Sequence, residues 1–271
     1  YDCVLGLAHG IPPSVGDHWH PRGDLNLEVF GLIKRIYGRL QKLTPWLEGA
    51  TSSVDTAVVA PRPYFSDAVL GATRMLSELQ VQFDVITEKS NGKEYRLLVI
   101  PDDLVFTKGL EAMVRAHLDR GGAVIASGWA GVDESRKKFV FKEWGVRLEG
   151  EDPELDKRFE SPHELPSHPP RHYHYFQPEK ALAEGLPAMP MNCYVRGVVA
   201  AAESGTEVLA RYVTTFFPRH WDGEHHHLYL APDKVTGRPV VTQKGMVAYI
   251  SHPFFSSYHR SAPVPLKQIV G

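Results

Sequence analysis

The sequence contains few cysteines, no long apolar run and no excess of charge of either sign. Its two cysteines, Cys3 and Cys193, are too few for a disulfide scaffold and lack metal-site spacing, so we expect two buried free thiols. The longest apolar runs, such as "DTAVVAP" and "RLLVIP", are too short to cross a bilayer, and no stretch resembles a signal peptide. Lysines and arginines number 30 against 32 aspartates and glutamates. This balance argues against nucleic-acid and membrane partners, and we expect a soluble protein, cytoplasmic rather than secreted.

Two kinds of functional motif are also missing. No glycine-rich phosphate loop of the G-x-G-x-x-G or G-x-x-x-x-G-K type occurs, so nucleotide binding has no support. A nucleophile elbow places Ser or Cys on a tight strand-to-helix turn between glycines. The nearest stretch is "IASGWAG", where Ala126 precedes Ser127 and the first glycine is absent, and neither cysteine lies on such a turn. We therefore expect no catalytic nucleophile and no cofactor.

The apolar pattern predicts one short strand–loop–helix unit at the start of the chain. "DCVLGLAH" (2–9) is an apolar run typical of a strand, and a loop rich in glycine and proline follows it to Gly23. Asp24 then stands where a helix cap is expected, before apolar residues at helical spacing. This helix is expected to end near Pro45 and Trp46, and "LEGATSS" (47–53) is expected to be a connector.

From Val54 onward the pattern predicts a doubly wound, flavodoxin-like parallel sheet over about 54–150. Four continuous apolar runs alternate with helical patterns at about 67–79, capped by Ser66, and 108–119. Residues 150–180 are polar and rich in proline, and we expect them to follow an irregular path over the protein surface. The later runs, such as "EVLARYV", "RPVVTQK" and "GMVAYISHPFF", are expected to extend the sheet or to form a β-rich layer beside it.

The loop of residues 9–23, called the opening loop below, carries the strongest candidate site. Ligand sites in β/α structures lie beyond the carboxyl ends of strands, and this loop follows the predicted strand. Aromatic rings beside imidazole, carboxylate and guanidinium groups are what a carbohydrate pocket requires. The candidate substrate-binding residues are His9, Asp17, His18, Trp19, His20 and Arg22. The loop lacks the carboxylate pair that glycoside hydrolysis usually needs, so no catalytic residue is assigned in it.

Three histidine-rich stretches suggest metal binding without a supporting pattern. "HWH" (18–20), "HYH" (172–174) and "HHH" (225–227) contain a common zinc ligand, but no H-E-x-x-H motif accompanies them. Structural or surface histidines are the preferred interpretation, and no metal site is assigned.

The order of these segments resembles a known arrangement. "LAHGIPPSVGDHWHPRG", "HHHLYLAPDKVTGRPVV" and "GMVAYISHPFFSSYH" resemble the C-terminal part of trimerising beta-galactosidases and of alpha-L-fucosidase-like glycoside hydrolases. "GGAVIASGWAGVDES" resembles the strand and loop on which class I glutamine amidotransferases carry their nucleophile, which is lost here.

This resemblance implies that residues 1–50 are the terminal β/α unit of a (β/α) barrel whose catalytic carboxylates precede Tyr1. It implies that residues 51–271 are an amidotransferase-like accessory domain that forms homo-oligomers and is inactive alone. Loops of such a domain can close the sugar pocket of a neighbouring subunit, and Trp129, with Tyr64 and Phe65, is the candidate for this role. The expected ligand is an oligosaccharide or glycoside.

Two alternatives remain from the sequence. The chain could be a self-contained amidotransferase-like hydrolase that uses Ser127 or Cys193 with a histidine. It could also be a carbohydrate-binding module without chemistry, which the 10% aromatic content favours.

Overall fold

A computed structural model describes residues 1–18, 21–51, 53–61, 66–90, 93–152, 174–217 and 231–271. The chain divides into two compact units, Tyr1–Ser53 and Val54–Gly271. None of the described helices has both the length and the apolar character needed to cross a bilayer.

The first unit contains two helices, α1 (Asp2–Ala8) and α2 (Leu27–Leu47). The prediction of a strand over residues 2–9 is therefore wrong. Among the described residues of this unit no strand is present to pair with it, and a helix closes its own backbone hydrogen bonds where a lone strand cannot. The tyrosine hydroxyl of Tyr37 on α2 donates to the backbone oxygen of Pro13, 2.9 Å away.

The start of α2 also differs from the prediction. The carboxamide oxygen of Asn26, not Asp24, accepts hydrogen bonds from the backbone N–H groups of Glu28 and Val29. Both residue types are good helix caps, so the choice depends on where the first helical turn forms. At its other end α2 continues through Pro45 to Leu47.

The second unit is built on a nine-stranded sheet with a two-stranded sheet beside it. The strands are β1 (Thr56–Val59), β2 (Phe83–Ile86), β3 (Leu97–Ile100), β4 (Ala123–Ser127), β5 (Val146–Glu151), β6 (His174–Pro178), β7 (Met191–Cys193), β8 (Val198–Ala202), β9 (Glu207–Thr215), β10 (Pro232–Lys244) and β11 (Val247–Ile250). The helices are α3 (Asp67–Glu78), α4 (Lys108–Asp119), α5 (Phe254–Ser261) and α6 (Val264–Val270).

The large sheet has the strand order β2-β1-β3-β4-β11-β10-β9-β6-β7. β2, β1, β3, β4 and β11 are parallel, and β10, β9, β6 and β7 continue the sheet in antiparallel pairs. β5 and β8 form the separate antiparallel pair. The flavodoxin-like prediction is confirmed, because the order 2-1-3-4 followed by a fifth parallel strand is the doubly wound pattern.

Both faces of the central parallel strands are buried, as the continuous apolar runs predicted. Alternate residues of β1 point to opposite faces, so Val59 packs in one core cluster with Trp144 while Val58 packs in the other with Phe254. α4 covers the first face, and α3 and α5 cover the second. The predicted cap of α3 is confirmed, since the hydroxyl of Ser66 accepts from the N–H of Val69.

The later part of the second unit shows one clear departure. Residues 174–178 form β6, which is largely buried between β9 and β7, so the prediction that residues 150–180 lie on the surface is wrong for this strand. The prolines and the weak alternation of polar and apolar residues gave no clear strand pattern here. The strand is buried because β9 and β7 flank it in the sheet. Residues 153–173 and 218–230, with the "HHH" stretch, lie outside the described residues.

Candidate functional site

Polar side chains meet in a buried position at the carboxyl ends of the central parallel strands. Asp102 follows β3 and Ser127 ends β4, and the hydroxyl of Ser127 donates to Oδ1 of Asp102 at 2.5 Å. The other carboxylate oxygen, Oδ2, accepts from the backbone N–H of Ser256 at 2.6 Å and from its hydroxyl at 2.7 Å. Oδ1 also lies 3.4 Å from the N–H of Phe255. Asp102 therefore caps the first turn of α5 from another element.

This arrangement does not provide an activated nucleophile. Ser127 is fully buried, and its hydroxyl proton is held by a carboxylate rather than by a histidine. Burial raises the pKa of Asp102, and the hydrogen bonds from Ser127, Ser256 and Phe255 oppose this rise. The network stabilises the sheet edge and the start of α5.

Cys193 is equally unsuited to nucleophilic chemistry. The side chain is fully buried, and its sulfur lies 3.0 Å from the hydroxyl oxygen of Ser257. Burial raises the pKa of the thiol to about 12. Since the thiolate is the nucleophilic form, a thiol with this pKa is inert at neutral pH. Both candidate nucleophiles of the self-contained hydrolase are therefore engaged in packing, and the geometry contradicts that alternative.

A second buried group, called the Asp152 cluster below, consists of Asp152, His174, Arg238 and His252. Nε2 of His252 lies 3.2 Å from Oδ2 of Asp152, and Nδ1 of His174 lies 3.5 Å from the same oxygen. The guanidinium of Arg238 donates to the other oxygen, Oδ1, at 2.5 Å. The side chains of Asp152, His174 and His252 are each 1% exposed.

Four elements bring the Asp152 cluster together: the ends of β5 and β11, the start of β6 and the middle of β10. Gly197 allows the close approach, because a Cβ atom there would lie 2.8 Å from the ring of His252. The N–H of Gly197 donates to Oδ2 of Asp152 at 3.2 Å, and the N–H of Asp152 donates back to the carbonyl of Gly197 at 3.1 Å. The carboxylate is thereby fixed in position.

Electrostatics favour an ionised carboxylate in this cluster. Burial by itself would raise the pKa of Asp152, but the hydrogen bond and charge of His252, the hydrogen bond from Arg238 and the charge of His174 lower it well below its ordinary value. A buried carboxylate between two imidazoles and one guanidinium can act as an ion-pair network, or Oδ2, the oxygen nearest the imidazoles, can ligate a metal together with them. No step of glycoside hydrolysis follows from it.

The predicted sugar-binding residues of the first unit occupy the opening loop. His9 follows the last turn of α1, and His9, Asp17, His18 and Arg22 are exposed. Oδ1 of Asp17 accepts from the backbone N–H of His18 at 2.8 Å, and Arg22 lies 3.5 Å from Asp24. Trp19 and His20 lie outside the described residues. The exposed polar groups are accessible to a ligand, and their role in sugar binding stays a prediction.

The remaining predicted site residue, Trp129, lies just beyond β4 and is half-buried. The backbone N–H of Trp129 donates to the backbone carbonyl of Asp102 at 2.6 Å. The guanidinium carbon of Arg136 lies 5.0 Å from the centre of the indole ring. Tyr64 and Phe65 lie outside the described residues. Packing within the second unit accounts for the contacts of Trp129, and its proposed role at a neighbour's pocket stays a prediction.

The sequence interpretation did not identify Asp102 or the Asp152 cluster. For Asp102 and His252 a signal was present, because each lies two residues beyond an apolar strand, and the carboxyl ends of these parallel strands are at one edge of the sheet. Asp152 lies in a polar stretch and had no local signal. His174 belongs to the "HYH" stretch, but structural or surface histidines were the preferred interpretation there.

Comparison with known proteins shows what part of this chain is similar to. Residues 73–150 match the family model described as "Beta-galactosidase trimerisation domain". This segment extends from α3 to the end of β5 and thus includes the parallel half of the sheet except β1 and β11.

One curated protein and two proteins of solved structure are similar to this chain. "Beta-galactosidase BglY" from Alicyclobacillus acidocaldarius is 27% identical over 135 residues, which cover 44% of this chain and 20% of that protein. "Alpha-L-fucosidase isoenzyme 2 from Paenibacillus thiaminolyticus" superposes with a TM-score of 0.83 at 24% identity, covering 99% of this chain and 39% of that one. A beta-galactosidase from Rahnella sp. R3 gives a TM-score of 0.58 at 19% identity, covering 89% and 35%.

The predicted resemblance to the C-terminal region of trimerising glycoside hydrolases is confirmed by the family model and these relatives. At these identities the superpositions show a shared fold. The chain spans about a fifth of the curated relative and about two fifths of the fucosidase chain.

Proposed function

We propose that this chain is a non-catalytic accessory and oligomerisation region of a glycoside hydrolase. The observation that carries the proposal is the match of residues 73–150 to a trimerisation domain. In addition, the position at which an amidotransferase would carry its nucleophile is inaccessible in this sheet. Ser127 at that position is buried and bound to Asp102. A domain of this kind contributes to function through subunit contacts.

The first unit supports the barrel part of the proposal through α2. Many apolar side chains of this amphipathic helix are exposed within the unit: Leu27, Val29, Leu32, Ile36, Leu43 and Trp46. In a (β/α) barrel such a stripe packs against the strands. Because α1 is a helix where a barrel strand was expected, the assignment of residues 1–50 to a terminal barrel unit rests on α2.

Light scattering on the 271-residue chain tests the oligomerisation proposal. The chain has a mass of 30.3 kDa, and we expect a particle of a small integer multiple of this mass, independent of concentration across the micromolar range. A particle of one chain mass at high micromolar concentration would contradict the proposal.

We further propose that the opening loop contributes to a sugar pocket. His9, Asp17, His18 and Arg22 expose hydrogen-bonding groups of both polarities, as recognition of sugar hydroxyls requires. In the intact glycosidase that contains this chain, His18→Ala and Trp19→Ala are expected to raise KM for the glycoside more than they lower kcat. His259→Ala, a histidine on α5, serves as the control. Unchanged kinetics in both loop variants would remove the pocket role.

A glycan array probed with the 271-residue chain separates the accessory region from a carbohydrate-binding module. An accessory region that only completes a pocket gives weak or no signal alone. Strong and specific binding by this chain would favour the module instead.

A further inference from the structure

The Asp152 cluster contains a set of donor atoms that the proposed function does not use. Two imidazole nitrogens and one carboxylate oxygen face one another in a buried position. We propose that Asp152, His174 and His252 bind one zinc ion, or a divalent transition metal of similar ligand preference. Two histidines and one carboxylate are an established ligand combination for such ions.

The distances between the donor atoms fit a single ion. The three ligand atoms all lie within 4.8 Å of one another. Oδ2 of Asp152 is 3.2 Å from Nε2 of His252 and 3.5 Å from Nδ1 of His174. Ligands about 2.05 Å from a tetrahedral zinc are about 3.3 Å apart. The two separations from Oδ2 bracket this value, and the two imidazole nitrogens are no more than 4.8 Å apart, so the side chains need to move by about 1 Å at most to hold one ion.

Groups outside the three ligands hold them in orientation. The hydroxyl oxygen of Ser251 lies 3.0 Å from Nδ1 of His252, which directs Nε2 towards Asp152. Arg238 occupies Oδ1 of Asp152 and leaves Oδ2 facing the imidazoles. Partners of this kind on the second ring nitrogen and on the carboxylate are typical of protein metal sites.

The charge of Arg238 is the main opposing factor. A divalent cation beside one carboxylate and one guanidinium leaves net positive charge in a buried place, and this weakens metal binding. The side chain of Arg238 is 19% exposed, so its charge is partly solvated. We therefore expect a site of moderate affinity that links the end of β5, the start of β6 and the end of β11 and thereby stabilises the second unit.

Metal titration of the chelator-treated 271-residue chain tests the proposal. We expect one Zn²⁺ per chain by elemental analysis after dialysis, and one Co²⁺ with the visible absorption of a tetrahedral site. Asp152→Asn and His252→Ala are expected to abolish this binding, and Ser251→Ala to weaken it about 10-fold through the loss of an outer partner. His259→Ala provides a matched control that should bind like the unmodified chain.

Circular dichroism without metal shows which variants fold. If Asp152→Asn and His252→Ala do not fold, Ser251→Ala decides, and unchanged affinity in that variant overturns the proposal. A folded, unmodified chain that binds no stoichiometric metal also overturns it. So does binding that persists in Asp152→Asn and disappears when His225, His226 and His227 are replaced together, since this result locates the ion elsewhere.

Discussion

The hydroxyl oxygen of Ser127 lies 2.5 Å from Oδ1 of Asp102, which joins the carboxyl ends of the adjacent strands β4 and β3 in a buried position. In doubly wound sheets this edge is where ligands bind. Here the same carboxylate also holds the first turn of α5, so protein hydrogen bonds fill the space. A position that serves chemistry in other proteins of this architecture serves stability in this one.

Replacement of Asp102 by asparagine is expected to destabilise the second unit by about 2–3 kcal/mol. Each carboxylate oxygen accepts from one backbone N–H, of Phe255 or of Ser256. The amide –NH₂ of asparagine must therefore face one of these donors, whichever way it is turned. Urea unfolding followed by circular dichroism measures the change.

Ser127→Ala is the matched comparison for this network. This substitution removes the hydroxyl donor and leaves the cap on α5 intact, so the free energy of unfolding is expected to fall by about 1 kcal/mol. The double variant with Asp102→Asn should be less destabilised than the sum of the two single variants. Equal losses for Ser127→Ala and Asp102→Asn would show that the cap on α5 contributes nothing.

The parallel half of the fold could be predicted because its information is local. Continuous apolar runs predicted β1–β4, and Ser66 marked the start of α3 correctly. The strand β6 could not be predicted, because Pro178 and weak alternation hide it and its burial comes from β7 and β9. Residues 2–9 failed for the opposite reason: their apolar run is typical of a strand, but no described neighbour in the first unit pairs with them.

The Asp152 cluster shows why candidate sites are harder to predict than sheets. His174 and His252 are far apart in the sequence and meet through the pairing of β6 with β9, of β9 with β10 and of β10 with β11. Asp152 follows β5, a strand of the separate two-stranded sheet, and reaches them from there. His174 belongs to the "HYH" stretch, but its partners Asp152 and His252 lie in no histidine-rich stretch. Contiguity carries little information about ligation, since ligands are commonly contributed by separate elements.

Cys193 is expected to resist alkylation in the folded chain. With a thiol pKa of about 12, roughly 0.01% of Cys193 is thiolate at pH 8, and the side chain is also shielded from reagent. Half-buried Cys3 is the residue expected to react with iodoacetamide under native conditions. Mass spectrometry should find one label on the native chain, none on the native Cys3→Ser variant and two on the urea-unfolded chain. A native label in Cys3→Ser would contradict the buried position of Cys193.

Gly71 is expected to be intolerant of alanine because α3 and α5 touch there. A Cβ atom at Gly71 would lie 1.8 Å from the carbonyl oxygen of Phe255, a backbone atom that cannot move alone. Overpacking of this kind costs about 3 kcal/mol. Gly109→Ala in α4 is the control, since its Cβ would meet only the end of the flexible Glu88 side chain, and a change within about 1 kcal/mol is expected. Similar unfolding free energies for both variants would contradict the close α3–α5 contact.

Glu78 is expected to make stability depend on pH in the acid range. Hydrogen bonds from Lys267, Tyr258 and Arg74 lower the pKa of this α3 carboxyl from 4.5 to about 2 and tie α3 to α5 and α6. Because the folded-state pKa is lowered, the stabilisation is complete above pH 4.5 and is lost as the pH falls towards 2. The melting temperature of Glu78→Gln should therefore lie below that of the unmodified chain by a constant amount at pH 6–7, and the difference should vanish near pH 2. Glu203→Gln, at an exposed glutamate beyond β8, controls for the loss of one negative charge. A difference that stays constant down to pH 2 would mean that Glu78 stabilises the helices by packing and not by its charge.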